Sequence, residues 1–187
     1  MSFVTFVLGG ARSGKSRYAE GLAARHRGPK IYIATAENFD EEMRARVAEH
    51  RAQRSERWET YEAPLELVAA LANCKTGFVL IDCITVWMGN LMHRRRDVRT
   101  EIEKLCEALA HTKARTVVVS NEVGLSIVPD NAMARAFRDE QGFANQRIAE
   151  MADEVIFVAA GLPMVLKTRQ RKRAPKSQAT SWRSRKA

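Results

Sequence analysis

The sequence has few cysteines and no apolar run long enough to cross a membrane. Its three cysteines, Cys74, Cys83 and Cys106, are widely spaced and form no Cys-x-x-Cys pair. That pattern excludes a disulfide framework and a zinc site of the usual spacing, and it is typical of reduced cytoplasmic thiols. No stretch approaches the roughly 20 apolar residues that span a bilayer, and the first residues do not resemble a signal peptide. We therefore expect a cytoplasmic protein without a membrane span.

Acidic residues are missing from the C-terminal end. Nine of the 31 Lys and Arg residues lie in 167–187, where there is no Asp or Glu. The rest of the chain therefore has 22 basic and 22 acidic residues. The net charge of +9 therefore belongs to a tail and not to the body. We expect one domain over residues 1–167 and a basic, disordered tail over 168–187. The tail either adds solubility or contacts a nucleic acid or another acidic surface, and the neutral body argues against nucleic-acid binding.

Short segments rich in Val and Ile alternate with helical patterns along the body. This alternation predicts crossover units, in which a parallel sheet is covered by helices on both faces. The fold class is therefore α/β with a mostly parallel sheet. Strands are expected at 2–8, 30–35, 57–62, 77–82, 115–120 and 154–160, and helices at 15–26, 40–54, 64–71, 84–92, 101–111 and 131–152.

The first strand leads into a segment that fits the phosphate-loop pattern G-x-x-x-x-G-K-[ST]. Its residues are Gly9, Gly10, Ala11, Arg12, Ser13, Gly14, Lys15 and Ser16. Glycines let backbone amides turn toward phosphate groups, Lys15 reaches the β and γ oxygens, and the hydroxyl of Ser16 can bind Mg²⁺. The following helix adds its positive N-terminal end. The pattern predicts a nucleotide site and a fold similar to P-loop NTPases.

A carboxylate for the magnesium ion is expected at the end of a neighbouring strand. The segment FVLIDC supplies Asp82 after four apolar residues. An Asp at a strand end can instead cap the next helix, and Thr85 can start that helix equally well. Neither feature identifies a substrate, because P-loop proteins include kinases, GTPases, motor ATPases and translocases.

Several segments, in order, resemble one family over about residues 3–167. They are GGARSGKSRYAE, YIATA, DEEMRARVAEHRAQR followed by W, LIDCITVWMGNL, VSNEVGLSIVP and ARAFRDEQGFANQRIAEMADEVIFVAAGLPMVLK. The family is the bifunctional adenosylcobinamide kinase / adenosylcobinamide-phosphate guanylyltransferase of cobalamin assembly. The resemblance implies transfer of the γ-phosphate of ATP or GTP to the hydroxyl of adenosylcobinamide. It also implies a second reaction, in which GMP passes from GTP through a guanylyl-histidine to the new phosphate.

The resemblance places the histidine nucleophile at His50. Without it, the spacing of Met43, Val47, His50 and Arg54 also fits a boundary histidine that completes an apolar helix seam. Imidazole is partly neutral at pH 7 and is a nucleophile without a separate base. Arg51 and Arg54 lie within one turn of His50 and can hold the phosphates during in-line attack.

The resemblance also implies a set of GTP contacts outside the phosphate loop. Glu62 and Asp82 can accept hydrogen bonds from guanine, and for Asp82 this role competes with magnesium binding. Asn121 and Glu122 follow a strand at the edge where α/β proteins bind ligands, and either orient substrate or metal or cap a loop. The implied contacts are Ala34, Thr35, Ala36, Arg51, Ala52, Gln53, Arg54, Glu62 and Asp82.

The resemblance further implies a magnesium-dependent enzyme that forms a homotrimer and binds adenosylcobinamide, ATP and GTP. Two alternatives remain at this stage. One is a P-loop kinase of another small molecule, in which His50 is structural. The other is a nucleotide-dependent nucleic-acid-binding protein that uses the basic tail.

Overall fold

A seven-stranded sheet forms the centre of the computed structural model, which describes residues 3–37 and 58–168. The strand order is β3-β2-β4-β5-β1-β6-β7, and all neighbours are parallel except β6 and β7, which are antiparallel. The strands are β1 (Phe3–Gly9), β2 (Lys30–Ala34), β3 (Glu59–Glu62), β4 (Phe78–Asp82), β5 (Arg115–Asn121), β6 (Glu154–Ala159) and β7 (Leu162–Thr168).

Helices cover both faces of this sheet. The described helices are α1 (Lys15–Ala23), α2 (Leu67–Asn73), α3 (Ile84–His93), α4 (Val98–His111) and α5 (Ala132–Met151). On one face, Ala19 and Ala23 of α1 pack against Val7, Leu80 and Val119. The other four helices share a larger apolar core with the opposite face, built around residues such as Phe6, Ile81, Trp87, Leu105 and Ile148. The structure therefore confirms the predicted α/β fold with a mostly parallel sheet.

Several predicted boundaries differ from the structure, and one strand was not predicted. The helix predicted over 15–26 ends at Ala23, and the strand predicted over 57–62 begins at Glu59. The helix expected from Pro64 begins at Leu67, and the helix expected over 101–111 already begins at Val98. There the side chain of Asp97 accepts a hydrogen bond from the Thr100 amide and caps the first turn. Strand β7 follows β6 after a two-residue turn and forms an antiparallel edge. The helix predicted over 40–54 lies outside the described residues.

The carboxyl ends of the parallel strands form one edge of the sheet. Ala34 is paired with Glu62 on one side and with Asp82 on the other. Gly9 is paired with Asn121. Asp82 ends β4, and strand β5 lies between β4 and β1, the strand that leads into the phosphate loop. Asp82 is therefore not on the strand adjacent to β1, where a neighbouring-strand carboxylate was expected. Ligands of α/β proteins bind at this kind of edge.

All three cysteines are free, as their spacing predicted, and all three are buried. Burial raises the pKa of each thiol, to about 12 for Cys83 and about 11 for Cys106. These thiols therefore stay protonated near neutral pH and do not act as nucleophiles. In the described part of the chain, the helices are too short or too polar to cross a bilayer.

Candidate functional site

The phosphate loop connects the end of β1 to the start of α1. Gly14 precedes the helix with φ of 92°, a left-handed conformation that glycine adopts at little cost. The Ser13 amide donates to the Gly10 carbonyl at 3.3 Å, and the Gly161 amide donates to the Ser13 carbonyl at 2.8 Å. The turn between β6 and β7 is therefore hydrogen-bonded to the phosphate loop. Ser13 Oγ is buried and has no hydrogen-bond partner among the described residues, so a polar group at the loop is left for a ligand.

Gly9 is in close contact with the loop that it opens. A Cβ atom at this position would lie 2.5 Å from the Val158 carbonyl oxygen and closer still to Ser13 Oγ. We expect Gly9→Ala to lower the free energy of unfolding by about 1–3 kcal/mol, because the added methyl group forces the loop away from β6. Urea unfolding measures the change. Gly10→Ala is the matched control, since nothing lies within 4 Å of a Cβ there. Equal losses in both variants would contradict the close approach.

Lys15 lies at the N-terminus of α1 with its side chain folded over the loop. Its Nζ donates to the Gly10 carbonyl at 3.1 Å, and the residue is only 9% exposed. Burial lowers the pKa of Lys15, while the nearby Cys83 and Asp82 raise it. A cation held in a partly dry position interacts strongly with an incoming phosphate, because little water screens it. Lys15 therefore lies beside the loop where its ammonium group can meet a phosphate, and its role in binding one stays a prediction.

Asp82 ends β4 at the carboxyl edge and is half-buried. The hydroxyl of Tyr32 donates to Asp82 Oδ2 at 2.9 Å, which fixes the orientation of the carboxylate. Ser16, in the first turn of α1, and Asp82 offer a hydroxyl and a carboxylate oxygen. These are hard oxygen ligands of the kind that Mg²⁺ takes together with substrate phosphates and water. The donor set fits a magnesium ion, and Tyr32 is a supporting residue that the sequence analysis missed.

The end of β2 lies beside Asp82, and the end of β3 lies on the far side of β2. The buried Thr35 hydroxyl accepts from the Cys83 amide and donates to the Cys83 carbonyl, each at 2.8 Å. The side-chain Nδ2 of Asn90 donates to the Thr35 carbonyl at 2.8 Å. The Thr35 side chain therefore ties β2 to the segment after Asp82. The backbone of this segment also bonds within the fold, because the Thr35 amide donates to the Asp82 carbonyl at 3.3 Å and the Ala34 carbonyl accepts from the Ala63 amide at 2.8 Å. Glu62 is exposed at the end of β3, in register with Ala34.

Asn121 and Glu122 lie at the opposite side of Asp82, next to the phosphate loop. The Glu122 amide donates to the Gly9 carbonyl at 3.0 Å, and the Asn121 amide donates to Thr85 Oγ1 at 2.8 Å. The structure therefore brings the end of β5 into contact with the first residue of the loop. His50 and the segment Arg51–Ala52–Gln53–Arg54 lie outside the described residues.

The chain is similar to known proteins over most of its length. The sequence profile described as cobinamide kinase / cobinamide phosphate guanyltransferase matches residues 5–166. A bifunctional adenosylcobalamin biosynthesis protein of Pseudomonas aeruginosa is 47% identical over 165 residues, which cover 86% of this chain and 95% of that protein. Its counterpart of the same description in Salmonella typhimurium is 38% identical over 179 residues, which cover 86% of this chain and 98% of that protein.

The fold is also similar to that of a solved structure of much lower sequence identity. A KaiC-like protein from Pyrococcus horikoshii aligns over 92% of this chain and 82% of its own, with a TM-score of 0.52 and 13% identity. At this identity the likeness concerns the fold alone.

Proposed function

This chain belongs to the cobinamide kinase / cobinamide phosphate guanyltransferase family, and from that premise we propose that it catalyses two successive transfers. In the first, adenosylcobinamide receives the γ-phosphate of ATP or GTP. In the second, the phosphorylated product receives GMP from GTP and becomes adenosylcobinamide-GDP. The observation that carries the proposal is the family match over residues 5–166, which includes an intact phosphate loop.

The first transfer uses the phosphate loop and the strand ends beside it. The hydroxyl oxygen of the acceptor attacks the γ-phosphorus, the bond from that phosphorus to the β–γ bridging oxygen breaks, and ADP or GDP leaves. The hydroxyl proton passes to water. Lys15 and the loop amides stabilise the charge on the β and γ oxygens. Ser16 and Asp82 would hold Mg²⁺, which neutralises phosphate charge when bound. Positioning and electrostatics supply most of the rate enhancement in such reactions.

The second transfer needs a nucleophile for the α-phosphate, and we assign it to His50. An imidazole nitrogen attacks the α-phosphorus of GTP, the α–β bond breaks, and pyrophosphate leaves. The phosphate oxygen of adenosylcobinamide phosphate then displaces the histidine and takes the GMP. Arg51 and Arg54 are assigned to the triphosphate, and Ala34–Ala36, Ala52, Gln53 and Glu62 to further nucleotide contacts. Glu62 and Asp82 can accept from guanine, so Asp82 has two candidate roles.

The remaining parts of the proposal concern the protein as a whole. We assign both reactions to residues 1–167 and neither to the tail over 168–187. The family resemblance supports a homotrimer in the cytoplasm that requires Mg²⁺. Its partners are then adenosylcobinamide and the two nucleotides, with no nucleic acid.

Two isotopic labels distinguish the proposed transfers. Purified protein is incubated with Mg²⁺ and adenosylcobinamide, once with γ-labelled ATP and once with unlabelled ATP plus α-labelled GTP, and the corrinoid products are separated. We expect label in adenosylcobinamide phosphate in the first case and in adenosylcobinamide-GDP in the second. Label in the first product alone would mean that the protein has the kinase activity and lacks the guanylyl transfer. No label in either corrinoid would favour a kinase of another small molecule.

A further inference from the structure

A buried polar network connects helix α5 to the end of β5. Ser120 and Gln141 are completely buried and Asn145 is 6% exposed. Ser120 Oγ donates to Asn145 Oδ1 at 2.8 Å, and Gln141 Nε2 donates to Ser120 Oγ at 2.9 Å and to Asn145 Oδ1 at 3.0 Å. Apolar side chains would fill this space without the cost of burying polar groups. We therefore expect this network to have a role other than packing in the core.

Within the network, the orientation of the Asn145 amide is fixed. Its oxygen accepts from Ser120 and from Gln141, so its nitrogen must point the other way. That nitrogen donates to the Asn121 carbonyl at 3.0 Å. Ser120 and Gln141 thus hold Asn145 as a donor for the backbone at the end of β5.

Asn121 is held from two sides by side chains of two helices. Thr85 of α3 accepts from its amide, and Asn145 of α5 donates to its carbonyl. The next amide along the chain, that of Glu122, donates to the carbonyl of Gly9, the first residue of the phosphate loop. Asn121 Oδ1 itself has no hydrogen-bond partner among the described residues, so this oxygen can accept a hydrogen bond from a ligand.

We propose that Asn145 is a positioning residue for phosphoryl transfer, which acts by fixing Asn121 beside the phosphate loop. Asn121 is then the residue whose Oδ1 accepts a hydrogen bond from the attacking hydroxyl. The inference rests on the proposed function, because it needs a phosphoryl acceptor at this edge. Thr85 supports Asn121 from the other side, and Gln141 and Ser120 act through Asn145.

The test compares two variants that release Asn121 with one that does not. Asn145→Leu removes the donor to the Asn121 carbonyl, and Thr85→Val removes the acceptor for its amide. Thr116→Val is the matched control, because Thr116 is fully buried in the same strand and bonds only locally, to the Ala114 carbonyl at 3.4 Å. Each variant is measured for kcat of adenosylcobinamide phosphorylation, for the dissociation constant of ATP and for Tm.

We expect kcat to fall about 10- to 100-fold in Asn145→Leu and in Thr85→Val, since small misplacements of a reacting group cost about this much. The ATP dissociation constant should change by less than about threefold, because the loop and Lys15 are untouched. Thr116→Val should keep its kcat even where its Tm falls. A purely structural role would lower Tm without this separation between kcat and nucleotide binding.

A double variant adds the sharpest test. If Asn145 acts through Asn121, then Asn121→Ala combined with Asn145→Leu should lose no more activity than Asn121→Ala alone. Independent, multiplying losses would overturn the inference, as would an Asn145→Leu enzyme with unchanged kcat. A wild-type protein that transfers no phosphate to adenosylcobinamide would overturn the proposed function, and this inference with it. An active wild type with an unaffected Asn145→Leu variant would overturn the inference alone.

Discussion

Replacing Lys15 with methionine is expected to lower both proposed transfers by about 10²–10³-fold. Lys15 is the cation that the structure holds over the phosphate loop, with its Nζ bonded to the Gly10 carbonyl. Both reactions develop charge on phosphate oxygens that the same loop would bind. Loss of the ammonium therefore reduces transfer of the γ-phosphate and attack at the α-phosphate together. Rates of both labelled transfers, measured at saturating nucleotide, give the two ratios.

Stability should not fall with activity in this variant. Burial lowers the pKa of Lys15, so keeping the charge of this side chain in the folded protein costs free energy. Methionine has a similar length and no charge to desolvate, so we expect an unchanged or higher free energy of unfolding. Lys30→Met is the matched control, because Lys30 begins β2 at the opposite end of the strand from Ala34. Equal activity losses in the two variants would contradict a specific role for Lys15.

The phosphate loop was predictable because its geometry is local. A buried strand, a glycine-rich turn and a helix follow one another within residues 3–23, and each is set by neighbours in sequence. Gly14 has the positive φ that the pattern requires, and Gly9 lies where a Cβ would meet the carbonyl of Val158. Distant parts of the chain then add to this local geometry, through the Val158 carbonyl beside Gly9 and the Gly161 amide that donates to the Ser13 carbonyl.

Strand β7 was not predicted because its signal is weak. All seven residues from Leu162 to Thr168 are exposed, so the segment lacks the alternation that marks a strand with one buried face. Its turn uses Ala160 at φ of 51° and Gly161 at φ of 79°. Alanine is uncommon in such a turn, where Asn or Gly is typical, so the sequence gives little sign of a hairpin.

The polar network at the end of β5 could not be predicted from the sequence, for a different reason. Gln141 and Asn145 lie four residues apart on one face of α5, but Ser120 and Asn121 reach them only through the packing of that helix on the sheet. A Gln and an Asn on a helix usually indicate a solvated face. The same applies to Tyr32, whose bond to Asp82 depends on the pairing of β2 with β4. Sequence patterns predict which residues share an edge, but tertiary packing decides which of them touch.

Replacing His50 with alanine is expected to abolish the second transfer and leave the first. An imidazole nitrogen that forms the bond to the α-phosphorus cannot be replaced by a methyl group, so formation of adenosylcobinamide-GDP should fall about 10³-fold or more. Phosphorylation of adenosylcobinamide needs the loop and an oriented hydroxyl, so its kcat should stay within about threefold of the wild-type value. This separation is the opposite of the joint loss expected for Lys15→Met.

The intermediate gives a second, direct measurement. Wild-type protein incubated with α-labelled GTP and Mg²⁺ and then denatured should carry label that is lost in acid and retained in alkali, as a phosphoramidate requires. His50→Ala should carry none. His111→Gln is the matched histidine control: His111 ends α4 four residues before β5 begins, where its Nδ1 lies 2.8 Å from the Glu107 carbonyl oxygen, and its label should equal that of the wild type. Label that persists in His50→Ala would assign the nucleophile elsewhere. Absence of label in an active wild type would mean that the phosphate of the acceptor attacks GTP directly.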